Sequence, residues 1–361
     1  MKIIANEKSY ITKDIFSDLH HPGKETILPY SFSINKEMMH KWIKSGLEII
    51  EKINTEKNYQ PDCFAVDFAI TKTESSLQPK LIELQSFASI FHSCLWLERM
   101  FFGEKNKLFN LTLKEREAIF LSCASPEGKN TIMLDSRFLQ NRSGFDFVSA
   151  SSFYKYSITP TSILDVYKHN NSMWYLSESG PKKIEHVYNR AIYHTLTEQE
   201  SNILSLLESD KSITWFNKPS NYYSVNKSDL LNLSHPENPC SIPAKLGEKS
   251  ELSSWVLKSK NGYAGDGLNL NPTKKDIADL ISQNRIEEYI LQERINYAPI
   301  FYSTQSTKAM CAELRIMFVL KDESYIPLCC FSRLSEDGNV SLSMARLNPG
   351  EGVAIFVEDS Q

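Results

Sequence analysis

Between positions 35 and 53 the apolar residues Met39, Trp42, Ile43, Leu47, Ile50 and Ile53 recur at steps of three and four, the spacing that lines one face of a helix. The pattern then shifts to two short apolar runs, 63–70 and 80–85, separated by a polar, turn-rich stretch, and these read as neighbouring strands. Residues 88–124 read as helical. A strand at 131–134, another at 184–188 and a helix opening at Thr197, where Thr197 and Glu200 have capping-box spacing, describe a small α/β unit. The stretch 217–243, rich in Pro, Asn and Ser, reads as a linker that can include a short helix at 227–233. Beyond it come a strand (255–260), a glycine-rich loop (261–267), a strand (268–270), a helix capped by Thr273 and running to 284, and a strand at 289–295. The remainder is strand-rich: 313–320, 326–334, 340–347 and 353–357. The class is mixed α/β.

Composition narrows the picture. The 361 residues suit two to three domains at ~150 residues each. Lys and Arg number 40 against 44 Asp and Glu, a net charge of −4, so no basic field favours nucleic acid as a partner. The first residues lack an apolar run of signal-peptide length, and no window approaches the ~18 apolar residues of a membrane span. The expectation is a cytoplasmic protein with no membrane partner. Seven scattered cysteines without a C-x-x-C pair read as buried thiols of a reducing compartment.

The richest chemistry lies at 255–268. Lys258 ends a buried strand and is followed by Gly262, Gly265 and Gly267 in G-x-x-G-x-G spacing, with Tyr263 and Ala264 between. A cation beside a loop whose backbone N–H groups approach closely suits the phosphates of a triphosphate. A hairpin using its glycines only for tight turning is the other reading. The loop is neither a Walker A motif nor a dinucleotide fingerprint, whose spacings differ, nor a kinase loop, since H-R-D and D-F-G are absent. No H-E-x-x-H or G-x-S-x-G occurs either.

Downstream follow Gln292-Glu293-Arg294-Ile295, then Glu313-Leu314-Arg315, then Arg333. In that order these segments, with Lys258 and its loop, resemble the ATP-grasp superfamily. The resemblance implies adenine contacts at Gln292, Glu293, Arg294 and Ile295, phosphate contacts at Lys258, the glycine loop and Lys227, and ATP with Mg2+ as cofactors. A solvated helix-start lysine is the alternative for Lys227. Family members usually place an Asp and then a Glu-x-Asn downstream of the catalytic arginine, and no such pair follows Arg333. Asp67 and the pair Glu83 and Gln85 match it instead near the N-terminus, 16 positions separating the two carboxylates. On adjacent strands all three side chains share a face, and the resemblance makes them the metal ligands. An ordinary ion pair is the alternative for Asp67 and for Glu83.

The implied fold is an α/β (α+β) ATP-grasp fold in circularly permuted order, its nucleotide cleft between two α+β subdomains, plus a small α/β pre-ATP-grasp domain. Residues 1–125 resemble the C-terminal core module with the metal ligands, 126–225 the pre-ATP-grasp domain, 226–296 the lid and 297–361 strands that complete the core sheet. The departures are Gln85 for the usual Asn, Asp266 where a basic residue often stands, and Pro349-Gly350-Glu351-Gly352 for a Gly-Gly pair. The implied activity is ATP-dependent joining of a small-molecule or peptide carboxylate to an amine through an acyl phosphate. Arg333 and Arg315 then serve the developing oxyanion, with Asn339 as a further polar ligand and Tyr188-Asn189-Arg190 near the acceptor, a surface loop arginine being the alternative for Arg190. Pairing of Arg315 with Glu313 and of Arg333 with Glu336 are the structural alternatives. A small-molecule kinase on the same fold and a non-catalytic nucleotide-binding protein are the competing functions.

Overall fold

The computed structural model describes residues 2–5, 30–74, 76–87, 89–136, 138, 144–153, 158–177, 179–262, 266–302, 309–336 and 352–358. The chain opens with strands β1 (Lys2–Ala5) and β2 (Tyr30–Ile34), followed by helix α1 (Lys36–Lys57). Asn35 caps α1 by accepting from the Glu37 and Met38 N–H groups, and Asn58 closes it in the left-handed region at φ 47°. The apolar stripe read from the sequence is the face that packs: Met39, Trp42, Ile43, Ile50 and Ile53 are buried.

β3 (Cys63–Lys72) and β4 (Leu77–Gln85) follow. The span expected to be helical is two helices, α2 (Phe91–Phe102) and α3 (Leu113–Ala124), split by a hairpin of β5 (Lys107–Leu108) and β6 (Leu111–Thr112). Gly103, at φ 76°, ends α2, and a capping box at Thr112 and Glu115 starts α3. A buried Arg116–Glu98 ion pair joins the two helices, and Arg116 Nη1 also donates to the Leu328 carbonyl at 2.6 Å.

The second unit holds β7 (Thr131–Asp135), α4 (Gly144–Phe153), β8 (Thr159–Ser162), β9 (Val166–His169), β10 (Ser172–Ser177), β11 (Gly180–Lys183), β12 (His186–Asn189), α5 (Glu198–Ser209) and β13 (Thr214–Phe216). Strands β13, β12, β7 and β8 form a parallel sheet in that order, and β9 to β11 an antiparallel meander. The capping box at Thr197 and Glu200 is present in α5. Thr197→Ala is expected to lower stability by about 1 kcal/mol, readable by urea unfolding; an unchanged midpoint would mean that the cap contributes nothing.

After a single turn α6 (Asn221–Ser224) and a 3-10 turn at Lys227–Leu231 comes a small antiparallel sheet. It is ordered β14 (Ser241–Pro243), β17 (Tyr289–Glu293), β15 (Trp255–Ser259), β16 (Leu268–Asn269), with α7 (Lys274–Ser282) packed on it through Ile277, Leu257 and Leu291. The chain ends with β18 (Pro299–Tyr302), β19 (Ala309–Lys321), β20 (Ser324–Ser335) and β21 (Gly352–Glu358). Strands from both ends of the chain build one sheet, ordered β1, β2, β21, β20, β19, β3, β4, with β18 beside β19. The expected strand at 340–347 lies outside the described residues.

Alternation along the strands divides this sheet. Phe64, Val66, Phe68, Leu314, Ile316 and Phe318 pack under α1, whereas Cys63, Ala65, Met317, Val319, Cys329 and Phe331 face α2 and α3. Among the described residues no helix is long and apolar enough to cross a membrane.

Candidate functional site

The face that carries Ala65 and Met317 turns from apolar to charged two residues further along each strand. Asp67 stands opposite Glu83 on β4 and opposite Arg315 on β19, and Glu313 stands opposite Arg333 on β20. Arg315 Nε donates to Asp67 Oδ1 at 2.6 Å and its Nη2 to Oδ2. Arg333 Nη2 lies 3.3 Å from the same Oδ2 and also pairs with Glu313. Burial raises the Glu313 carboxyl above its ordinary range, against the pull of Arg333. Burial also opposes the charge on Arg315, but Asp67 outweighs it and holds the guanidinium above its usual value.

The small sheet closes over this face. Lys258, near the end of β15, is 8% exposed. Its ammonium donates to the Ile82 carbonyl at 3.1 Å and to Gln292 Oε1 at 2.6 Å. Burial, aided by Lys227 and resisted by Glu83, pulls its pKa down to about 8. Lys227 begins the 3-10 turn, where its ammonium lies 2.7 Å from Glu83 Oε1 and donates to the Gly262 carbonyl at 2.5 Å. Burial disfavours charge on Glu83, yet Lys227, Lys258 and Arg315 together hold it below the usual carboxylate range.

The two ends of the loop need their glycines for their own geometry. A Cβ at Gly262 would meet the Asp266 carbonyl oxygen at 2.2 Å, and Gly267, at φ +66°, would bring one to 2.4 Å from the Ser259 Cβ. Tyr263, Ala264 and Gly265 lie outside the described residues, as do Asn339 and positions 349–351.

Residues far apart in sequence thus meet: Asp67, Glu83 and Glu313 face Lys227, Lys258, Arg315 and Arg333. Asp67, expected as a metal ligand, has both oxygens held by Arg315 and Arg333, because the register that sets it against Glu83 also sets it against Arg315. Glu83, one oxygen of which faces Lys227, and, two positions along the same face, Gln85 offer hard oxygen donors of the kind that suit Mg2+. No group of three or more His, Cys, Asp or Glu among the described residues is arranged to hold a metal by itself.

At the expected adenine strand, Gln292 is buried against Lys258, with no partner for its Nε2 among the described residues. The Glu293 N–H is spent on the Cys240 carbonyl at 2.8 Å and the Arg294 N–H on Ser254 at 2.7 Å, so neither is left for a base. The Arg294 guanidinium braces the turn after β16 through the Leu270 carbonyl and Asn271. Ile295 follows β17 and is half-buried. Arg190, read as an acceptor contact or a surface arginine, is buried against Asp146, which itself accepts the Ile90 and Ser93 N–H groups at the start of α2. Charge on a 2%-exposed side chain demands such a partner. Glu313 was read only as a partner for Arg315; it is a member of the cluster, paired across the ladder with Arg333 instead. Its signal was the alternation of Glu313 and Arg315 in an otherwise apolar strand.

No protein-family model matches the chain, and no curated protein sequence does. Among solved structures it is similar to a glutathione synthetase-like effector from Globodera pallida, at 11% identity and a TM-score of 0.55 over 98% of this chain and 96% of that one. A D-alanyl-alanine synthetase A from Vibrio cholerae is similar at 13% identity and a TM-score of 0.37, over 64% of this chain and 76% of that one. A RimK domain ATP-grasp protein from Sphaerobacter thermophilus has 10% identity and a TM-score of 0.29, over 60% of this chain and all of its own.

Proposed function

We propose that this chain, whose fold is similar to that of a glutathione synthetase-like effector, is an ATP-grasp protein whose cleft binds Mg-ATP and joins a carboxylate to an amine with release of ADP and phosphate. The observation that carries the reading is the meeting of Lys227 and Glu83 beside Gly262, with Lys258 next to them and Arg315 and Arg333 gathered at Asp67 on the same face. Lys258, Lys227 and the loop N–H groups hold the phosphates. Glu83 and Gln85 would hold a Mg2+ ion, which would offset charge on the transferring phosphoryl group. A carboxylate oxygen of the first substrate attacks the γ-phosphorus and ADP leaves. The amine nitrogen then adds to the acyl carbon, and phosphate departs as the nitrogen loses its proton. Arg333 and Arg315 stabilise the oxyanion that forms between these steps.

The order of the pieces fits a circular permutation, with the carboxylate strands β3 and β4 ahead of the lid and the remaining core strands after it. The likeness to a glutathione synthetase-like effector supports a small-molecule or peptide carboxylate and an amine as substrates. A cytoplasmic location, where ATP is abundant, completes the reading. The test is ADP release from Mg-ATP by purified protein, screened against amino acids and short peptides. Turnover with at least one acid and amine pair is expected; Mg-ATP binding without ADP release in any combination would favour a non-catalytic role.

The buried lysine gives the site a pH signature. Only the charged ammonium attracts phosphate, so affinity for ATP is full below the Lys258 pKa of about 8 and declines above it. Bound phosphate favours the charged form and raises its pKa in the complex, so the decline begins at the free protein's pKa and levels off above that of the complex. Calorimetry between pH ~7 and ~9.5 is expected to show affinity falling by up to about tenfold; a flat profile would remove Lys258 from the phosphate contacts.

A further inference from the structure

We infer that Lys57, at the end of α1 and outside the nucleotide cleft, is a positioning residue that sets where the Lys227 ammonium stands. This rests on the reading of Lys227 as a phosphate contact. Lys227 sits in a linker with little regular structure, between α6 and the lid sheet, and such a segment does not by itself fix a side chain. Besides its own N–H, which donates to the Lys260 carbonyl at 3.2 Å, two devices hold it. Within the segment, Asn226 Oδ1 accepts from Ser228 N–H at 2.9 Å and Asp229 Oδ2 from Asn226 N–H at 2.9 Å, a reciprocal cap around the turn that begins at Lys227. From outside, the Lys57 ammonium lies 2.9 Å from the other Asp229 oxygen and donates to the Ser224 carbonyl at 2.5 Å.

One cation thus grips the chain three residues before Lys227 and two residues after it. The grip is anchored, because α1 is packed on the core sheet through Met39, Trp42, Ile50 and Ile53. The Asp229 side chain is 12% exposed and that of Lys57 is 27% exposed, so the pair is shielded more than a surface ion pair. A cation in the last turn of a helix also faces the negative end of the helix dipole. The chain of contacts runs from α1 through Lys57, Asp229 and the 3-10 turn to Lys227, and from there to Glu83 and the Gly262 carbonyl. Lys57 touches no expected ligand, and its effect on one passes through Lys227.

A positioning role predicts a loss confined to the phosphates. Lys57→Met in the full chain is expected to weaken Mg-ATP binding roughly five- to tenfold, the scale of one misplaced charge-assisted contact, and to leave adenosine binding unchanged, because adenosine carries no phosphate. Lys57→Arg, which keeps the charge, should restore at least half of that loss on a logarithmic scale. Calorimetric titrations of wild type and both variants with Mg-ATP and with adenosine, alongside melting temperatures, decide the matter. Equal weakening for both ligands, or none for either, would overturn the inference. If Lys57→Met fails to fold, Asp229→Asn takes its place with the same expectation, since it breaks the same link from the other side. Wild type binding Mg-ATP no more tightly than adenosine would instead overturn the reading of Lys227 as a phosphate contact, and the inference with it.

Discussion

Asp67→Asn is expected to lower the unfolding free energy by about 3 kcal/mol, because it leaves the buried Arg315 guanidinium and the half-buried one of Arg333 without their shared carboxylate. Asp67 is 1% exposed and both its oxygens are occupied, by Arg315 twice and Arg333 once. Asparagine keeps the size and one acceptor but no charge, so Arg315 loses its principal partner. Arg333 retains Glu313. Turnover should fall as well, since the arginines that meet the oxyanion are no longer held in place, while the Mg2+ concentration for half-maximal activity should stay as in wild type. Urea unfolding and a Mg2+ titration separate the two roles of this carboxylate: unchanged stability with a raised Mg2+ requirement would return Asp67 to the metal ligands.

Glu83→Gln acts on the other carboxylate and on chemistry more than on folding. Turnover is expected to fall by on the order of 10² or more, because a metal held less tightly offsets less of the charge that develops at the γ-phosphate. Affinity for ATP should fall only modestly, since Lys258 and the loop remain. Stability should drop slightly: Glu83 stands among lysines, 2.7 Å from Lys227, and its removal leaves their repulsion unopposed. ADP release and melting temperatures of the variant, with and without Mg-ATP, check each part. Turnover like that of wild type would remove Glu83 from the metal site.

Much of the fold was legible because local pattern and tertiary role agree. The stripe on α1, the capping boxes at Thr197 and Thr273 and the apolar runs of β3, β4, β19 and β20 say the same thing alone and packed. The span 88–124 was read as helical because its apolar content masks the break at Gly103, which is visible only as a backbone need for positive φ. The meander β9 to β11 was missed although Asn170 and Asn171, both left-handed, are a type I′ turn signal between its first two strands.

At the site, the meeting of distant residues followed from motif order, but the partner of each charge did not. Asp67 reads alike as a metal ligand or an ion-pair member until the register of β19 sets Arg315 against it. Arg190 reads as a surface group until α4 brings Asp146 to it. Pairing across a sheet is a tertiary fact, and alternation along one strand determines only which face a charge occupies.

The central claim is that the cleft makes an acyl phosphate, and hydroxylamine tests it most directly because it intercepts that species in place of the natural amine. Purified protein would be incubated with Mg-ATP, hydroxylamine and a panel of amino acids and short peptides, and the products read by mass spectrometry. The account predicts a hydroxamate of at least one acid, formed with one ADP and one phosphate per molecule and lost in Glu83→Gln. ATP consumed to ADP with a phosphate ester and no hydroxamate, or cleaved to AMP and pyrophosphate, would contradict it.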